Sequence, residues 1–99
     1  MSIEVTIYTR PGCHLCEDAK EIMLPLLAEF GAILREVNID EDHELMQRFG
    51  HDIPVILIGE HKAAKHHVDR EQFRRQLEEA RTDRARGMLR RTVERLKRV

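Results

Sequence analysis

The two cysteines of the chain, Cys13 and Cys16, stand in the stretch Thr9-Arg10-Pro11-Gly12-Cys13-His14-Leu15-Cys16-Glu17-Asp18. Two intervening residues put the sulfurs within disulfide reach across the first turn of a helix, and a thiol pair so placed can exchange with a disulfide. An apolar, β-branched run (Ile3, Val5, Ile7, Tyr8) precedes the pair, and Pro11 and Gly12 suit a tight loop but neither flanking element. Read as strand, loop, then helix, the stretch sets Cys13 at a helix N-terminus, where unpaired backbone N–H groups and the helix dipole favour a thiolate. A free cysteine titrates near ~8.5, and one at a helix start or beside a cation falls to roughly 3.5–7.5. Arg10 and His14 are the candidate cations; His14 could instead point into solvent, but its place inside the motif favours a tuning role. Cys16, one turn in, is the natural resolving thiol.

Other chemistries fit the same residues less well. Two inert core cysteines would leave Pro11-Gly12 and the charges of Glu17 and Asp18 unexplained. A zinc site asks for four ligands, and no second half-site is evident. Covalent haem attachment needs histidine directly after the second cysteine, where this chain has Glu17. Two readings stay open beside thiol exchange. One is a metal or iron-sulfur module shared between two copies or completed by an added thiol. The other is a redox-responsive adaptor that binds a partner through a basic helix.

The elements that must position these residues can be traced along the 99-residue chain, a length that suits one domain with a single core. Ile3, Val5 and Ile7 alternate with Glu4 and Thr6 as a strand does, and Tyr8 extends it. Leu15, Ala19, Ile22, Met23, Leu26, Leu27 and Phe30 then recur at helical steps, which predicts a helix over 13–30, kinked near Pro25 and capped by Gly31. Ile33 to Asp40 reads as a second strand, and Asp40 or Asp42 caps a short helix over 42–49 with Leu45, Met46 and Phe49 on one face. Ile53 to Ile58 is a continuous apolar run, hence a buried strand, and Gly59-Glu60 turns it into a returning strand over 61–67. Asp69-Arg70-Glu71-Gln72 opens a third helix with Phe73, Leu77 and Ala80 on its buried stripe. A helix joining the first two strands implies a parallel pair, and the hairpin adds an antiparallel edge, so the sheet is mixed.

The net charge of −1 conceals an asymmetry. Eight of the 17 Lys/Arg and two of the 18 Asp/Glu lie in 81–99, which gives that segment +6; nine basic and sixteen acidic residues remain in 1–80, which is −7. Residues 1–80 therefore read as an acidic domain, and 81–99 as a basic amphipathic helical extension in which Gly87 permits a break. That extension could dock on its own domain, bind a partner or second copy, or contact nucleic acid or membrane; no aromatic residue stands among its arginines for base stacking, which favours protein. No segment approaches the ~18 apolar residues of a membrane span, and Met1 to Arg10 alternates like a strand rather than forming a signal peptide's apolar core, so a cytoplasmic protein is expected. In a reducing compartment a lone C-x-x-C is more often catalytic or metal-binding than a structural staple.

The order strand, C-x-x-C helix, strand, helix, Ile53-Pro54-Val55 strand, hairpin, helix resembles the thioredoxin fold in its small, glutaredoxin-sized form. Tyr8 to Cys16 is similar to the active-site loop of a bacterial glutaredoxin-like family with a Cys-His-x-Cys type motif, and the resemblance covers residues 2 to about 80. It implies an α/β fold with a mixed four-stranded sheet and flanking helices. It implies a thiol-disulfide oxidoreductase with Cys13 as nucleophile and Cys16 as resolving thiol. It further implies a cis Pro54 facing Cys13 and an Ile53 backbone that hydrogen-bonds an extended substrate peptide, as a strand added to a sheet edge would. No bound cofactor is expected. Substrates would be protein or small-molecule disulfides, with glutathione or a thioredoxin-reductase-like donor as reductant. Glutathione users of the family carry a Gly-Gly pair after the fourth strand and a Cys-Pro-Tyr-Cys motif; this chain has Lys65-His66-His67 and His14-Leu15 at those places.

Overall fold

The alternation at the start of the chain becomes strand β1 (Glu4–Thr9), with Val5 and Ile7 wholly buried on one face. A computed structural model describes residues 3–97, with side chains described through Asp83. Helix α1 (His14–Phe30) follows, capped by Cys13 at its start and by Gly31 at its end, where a left-handed φ of 61° suits glycine. It continues through Pro25 as one helix. Strand β2 (Ile33–Asn38) returns parallel to β1, from Glu4 beside Ile33 to Thr9 beside Asn38. It ends two residues short of the expected strand, because Asn38 accepts from the Asp40 N–H and starts a 3-10 turn over Ile39–Glu41 that buries Ile39. Asp42, not Asp40, caps α2 (His43–Phe49), accepting from the Leu45 N–H at 3.2 Å.

Strand β3 (Val55–Ile58) runs antiparallel to β1 and pairs with β4 (His61–Lys65) across the Gly59-Glu60 turn, giving the order β2-β1-β3-β4. Gly59 has φ 60°, which a II′ turn with glycine first requires. The sheet is mixed, as its connections imply. β4 stops at Lys65 rather than His67 because His66 takes a left-handed φ of 67° and leaves the strand. Helix α3 starts at Arg70, with Asp69 accepting from the Gln72 N–H at 2.9 Å, and runs without interruption to Lys97. The helix runs across the 80/81 boundary and past Gly87, where the sequence permits a break: nothing between Ala80 and Arg86 stops a helix, and one interior glycine costs only about 1 kcal/mol. The side chains that would make 84–99 an amphipathic docking face lie outside the described residues.

The core fills the space between the sheet and two helices: Val5, Ile7, Ile56 and Ile58 from the strands, Ala19, Met23, Leu26 and Leu27 from α1, and Phe73 and Leu77 from α3. Each large side chain among these contributes about 1.5–3 kcal/mol by leaving water. Two expected faces differ. On α1 the buried stripe is Cys16, Ala19, Met23, Leu26 and Leu27, and Leu15, one residue off that stripe, is 40% exposed. On α2 no residue is fully buried, and the helix is held by Tyr8 stacking on Phe49, with ring centroids 4.6 Å apart.

Candidate active site

The loop that delivers Cys13 is built by two residues. The Cys13 N–H donates to the Arg10 carbonyl at 3.4 Å, with Pro11 and Gly12 at the corners and Gly12 at φ 78°, the arrangement of a type II turn. A side chain at position 12 would be strained there, which ties this glycine to the placing of the sulfur. Cys13 itself is extended (φ −84°, ψ 106°) and serves as the helix N-cap, its Sγ accepting from the Cys16 N–H at 3.2 Å. Sulfur here takes the place of the usual capping oxygen. An acceptor at this position gains from negative charge, since it faces the unpaired N–H groups and positive end of the helix.

Cys16 lies one turn inside, wholly buried, with its Cα 5.3 Å from that of Cys13 and its sulfur at disulfide distance. Cys13 remains half-exposed. The pair is thus asymmetric: one sulfur reachable by a macromolecule and one behind it reachable only by the first.

The other expected site residues divide. His14 is the first residue of α1 and exposed. The Arg10 guanidinium is engaged elsewhere, with Nε and Nη2 each 3.0 Å from Asp40 Oδ1, while its carbonyl shapes the turn. Pro54 follows a cis peptide bond and is fully buried at the head of β3. Because Val55 pairs with Tyr8, continuing the antiparallel register sets Pro54 level with Thr9, four residues before Cys13. Asn38 pairs with Thr9 on the other side, and the His66 N–H donates to the Pro54 carbonyl at 2.8 Å. Asn38, Thr9, Pro54 and His66 therefore form the last row of the sheet, and the cysteine loop leaves from that row. Ile53 is half-buried, and neither its N–H nor its C=O makes a backbone hydrogen bond among the described residues.

Asp40, Asp52 and His66 join the site region without having been expected there. Asp40 holds Arg10 across thirty positions, a pairing that no local pattern reveals. His66 was read as part of a strand; its neighbour Lys65 and the apolar Ala63-Ala64 give no hint of where pairing stops. Among the described residues no group of three or more His, Cys, Asp or Glu is placed to hold a metal ion, and no helix is long and apolar enough to cross a membrane.

Comparison with known proteins agrees with this fold. The family model described as Glutaredoxin-like domain (DUF836) matches residues 4–78, from β1 to the middle of α3. The "Glutaredoxin-like protein YDR286C homolog" of Dictyostelium discoideum is 35% identical over 83 residues, spanning 78% of this chain and 77% of that protein. The crystal structure of protein XcR50 from X. campestris superposes with a TM-score of 0.63 at 31% identity, covering 75% of this chain and 95% of that one. Thioredoxin-2 of the malaria parasite, described as a component of its protein secretion machinery, shares the fold at 19% identity and a TM-score of 0.59, covering 79% of this chain and 82% of that one. With a thioredoxin-type sheet, a C-x-x-C at the head of its first helix and a family match over three quarters of its length, the chain belongs to the glutaredoxin-like domain family.

Proposed function

We propose that the protein is a dithiol thiol-disulfide oxidoreductase. The observation that carries the reading is the asymmetry at the head of α1: a half-exposed Cys13 Sγ that caps the helix, backed by a buried Cys16 at bonding distance. In the reduced protein the Cys13 thiolate attacks one sulfur of a target disulfide, forming a mixed disulfide and releasing the other half as thiolate. Cys16 then gives up its proton and attacks the Cys13 sulfur. The second half of the target leaves as thiolate, and the Cys13–Cys16 disulfide holds the oxidation. Two electrons have passed to the target, and a thiol donor returns them.

His14, exposed beside Cys13, and Arg10, nearby but shared with Asp40, are the thiolate tuners in this reading. Ile53 and Pro54 form the substrate platform, supported by the free backbone groups of Ile53 beside the cysteine loop. The target is a protein or small-molecule disulfide, and the donor is glutathione or a thioredoxin-reductase-like enzyme. The compartment that fits a dithiol kept reduced is the cytoplasm.

Trapping tests the reaction. Incubated with a disulfide-bonded peptide, Cys16→Ser should accumulate a mixed disulfide on Cys13 visible by mass, and Cys13→Ser should form none. Adduct formation through Cys16 alone, or none with any disulfide, would overturn the proposal.

A further inference from the structure

His66 takes no part in the exchange steps, yet it is the one non-glycine residue among the described residues held at positive φ. Histidine enters the left-handed region more readily than most side chains, but the conformation is still strained and persists only where the surroundings fix it. Those surroundings are specific. The His66 N–H donates to the Pro54 carbonyl at 2.8 Å, and the following N–H, of His67, turns back to the Lys65 carbonyl at 2.8 Å. The imidazole Nε2 lies 3.2 Å from the His51 carbonyl and 3.7 Å from Asp52 Oδ1. A carbonyl only accepts, so Nε2 carries the proton in this contact. One residue thereby grips the chain on both sides of Ile53: Pro54 through its backbone, His51 and Asp52 through its ring. Between these grips lie the two backbone groups of Ile53 that have no backbone partner among the described residues.

We propose that His66 is a positioning residue that clasps the 51–54 loop so that the Ile53 backbone stays open to an extended peptide, and that it thereby favours peptide disulfides over small-molecule ones. This rests on the dithiol-exchange reading above. A peptide lying along Ile53 depends on that loop having one conformation before binding, because ordering it on binding would lower affinity. A small disulfide needs only the sulfur of Cys13. The ring contacts are half-exposed and individually weak, so their loss shifts the loop's conformations without unfolding the domain.

The test compares wild type, His66→Gly and His66→Asn on two substrates, a disulfide-bonded pair of extended peptides and 2-hydroxyethyl disulfide, with amide hydrogen exchange as a readout independent of activity. Glycine keeps the backbone bond to Pro54 and adopts the left-handed φ freely but has no ring; asparagine tolerates the same φ and keeps a side-chain N–H. For His66→Gly, KM for the peptide should rise about fivefold with kcat within about twofold, 2-hydroxyethyl disulfide kinetics should be unchanged, and the Asp52 amide, which donates to the Phe49 carbonyl at 2.8 Å, should exchange faster. His66→Asn should recover part of the peptide KM. Unchanged peptide KM, unchanged Asp52 exchange, or equal loss on both substrates would each overturn the clasp. A wild type that reduces neither substrate would instead overturn the exchange reaction, and the Asp52 exchange rate alone would then decide whether His66 holds the loop.

Discussion

Cys13 is both the cap of α1 and the exposed member of the thiol pair, so its sulfur answers to the helix and to the solvent at once. The N–H of Cys16 and the dipole of α1 act on it without any cationic side chain, and that sets what its neighbours can add. Arg10 shares its charge with Asp40, whereas His14 sits free on the first turn. His14→Ala should therefore slow iodoacetamide alkylation of Cys13 at pH 7 by about threefold, and Arg10→Ala by less than about twofold, as measured by the rate of mass gain on reduced protein. Equal losses would mean that Asp40 does not occupy the guanidinium in solution. Gly12→Ala belongs to the same scale. An added Cβ would meet no atom within 4 Å, so the strain is purely that of φ 78°, and the substitution should cost about 1–2 kcal/mol in urea unfolding while disturbing the turn that aims Cys13.

Between elements, the joints that frame the site are charged at the surface and apolar beneath. Lys20 ties α1 to β2, with its Nζ 2.9 Å from Glu36 Oε1 and 3.0 Å from Glu17 Oε1. The hydrogen bond to Glu36, then that to Glu17, raises its pKa above the ordinary 10.5. A raised lysine stabilises the fold fully below 10.5, and that contribution disappears as pH climbs through the higher folded value. Lys20→Met should thus lower the melting temperature by a few degrees at pH 8, under about 1 kcal/mol, and the gap to wild type should narrow as pH climbs beyond 10.5. Beneath, Leu77→Ala on α3 should cost about 2–5 kcal/mol because it opens a cavity against the core, read from the urea midpoint.

How far these elements could be read beforehand depended on whether their signals are local. Pro11-Gly12, Gly31, Gly59 and Asp69 each state their geometry in one or two residues, and the structure uses them as read. Leu15 and Cys16 compete for one helical stripe, and sequence periodicity alone favoured leucine, the more apolar of the two; the sheet's position put the cysteine inside. The Asp40 pairing with Arg10 and the left-handed turn at His66 depend on where distant strands end, which no window of sequence contains.

Across the whole molecule, the sheet gathers its last row of Asn38, Thr9, Pro54 and His66 beneath the cysteine loop, while Ala80 and Asp83 of α3 line a cleft with Ile3, Glu4, Ile58 and Gly59 at the opposite end of the sheet. The thiol chemistry should then be separable from the basic segment. Truncation after Asp83 should leave Cys13 alkylation and disulfide reduction within about twofold of the full chain, and a larger loss would tie the segment to the site. In the proposed exchange Cys13 is an activated nucleophile that shields a buried partner. Alkylation of the reduced protein with iodoacetamide across pH 4–10, with each cysteine assigned by mass spectrometry, tests it most directly. Cys13 should react first, half-maximally below about pH 7.5, with Cys16 protected until the protein unfolds. Alkylation of Cys13 only above about pH 8.5, or of Cys16 before it, would contradict the claim.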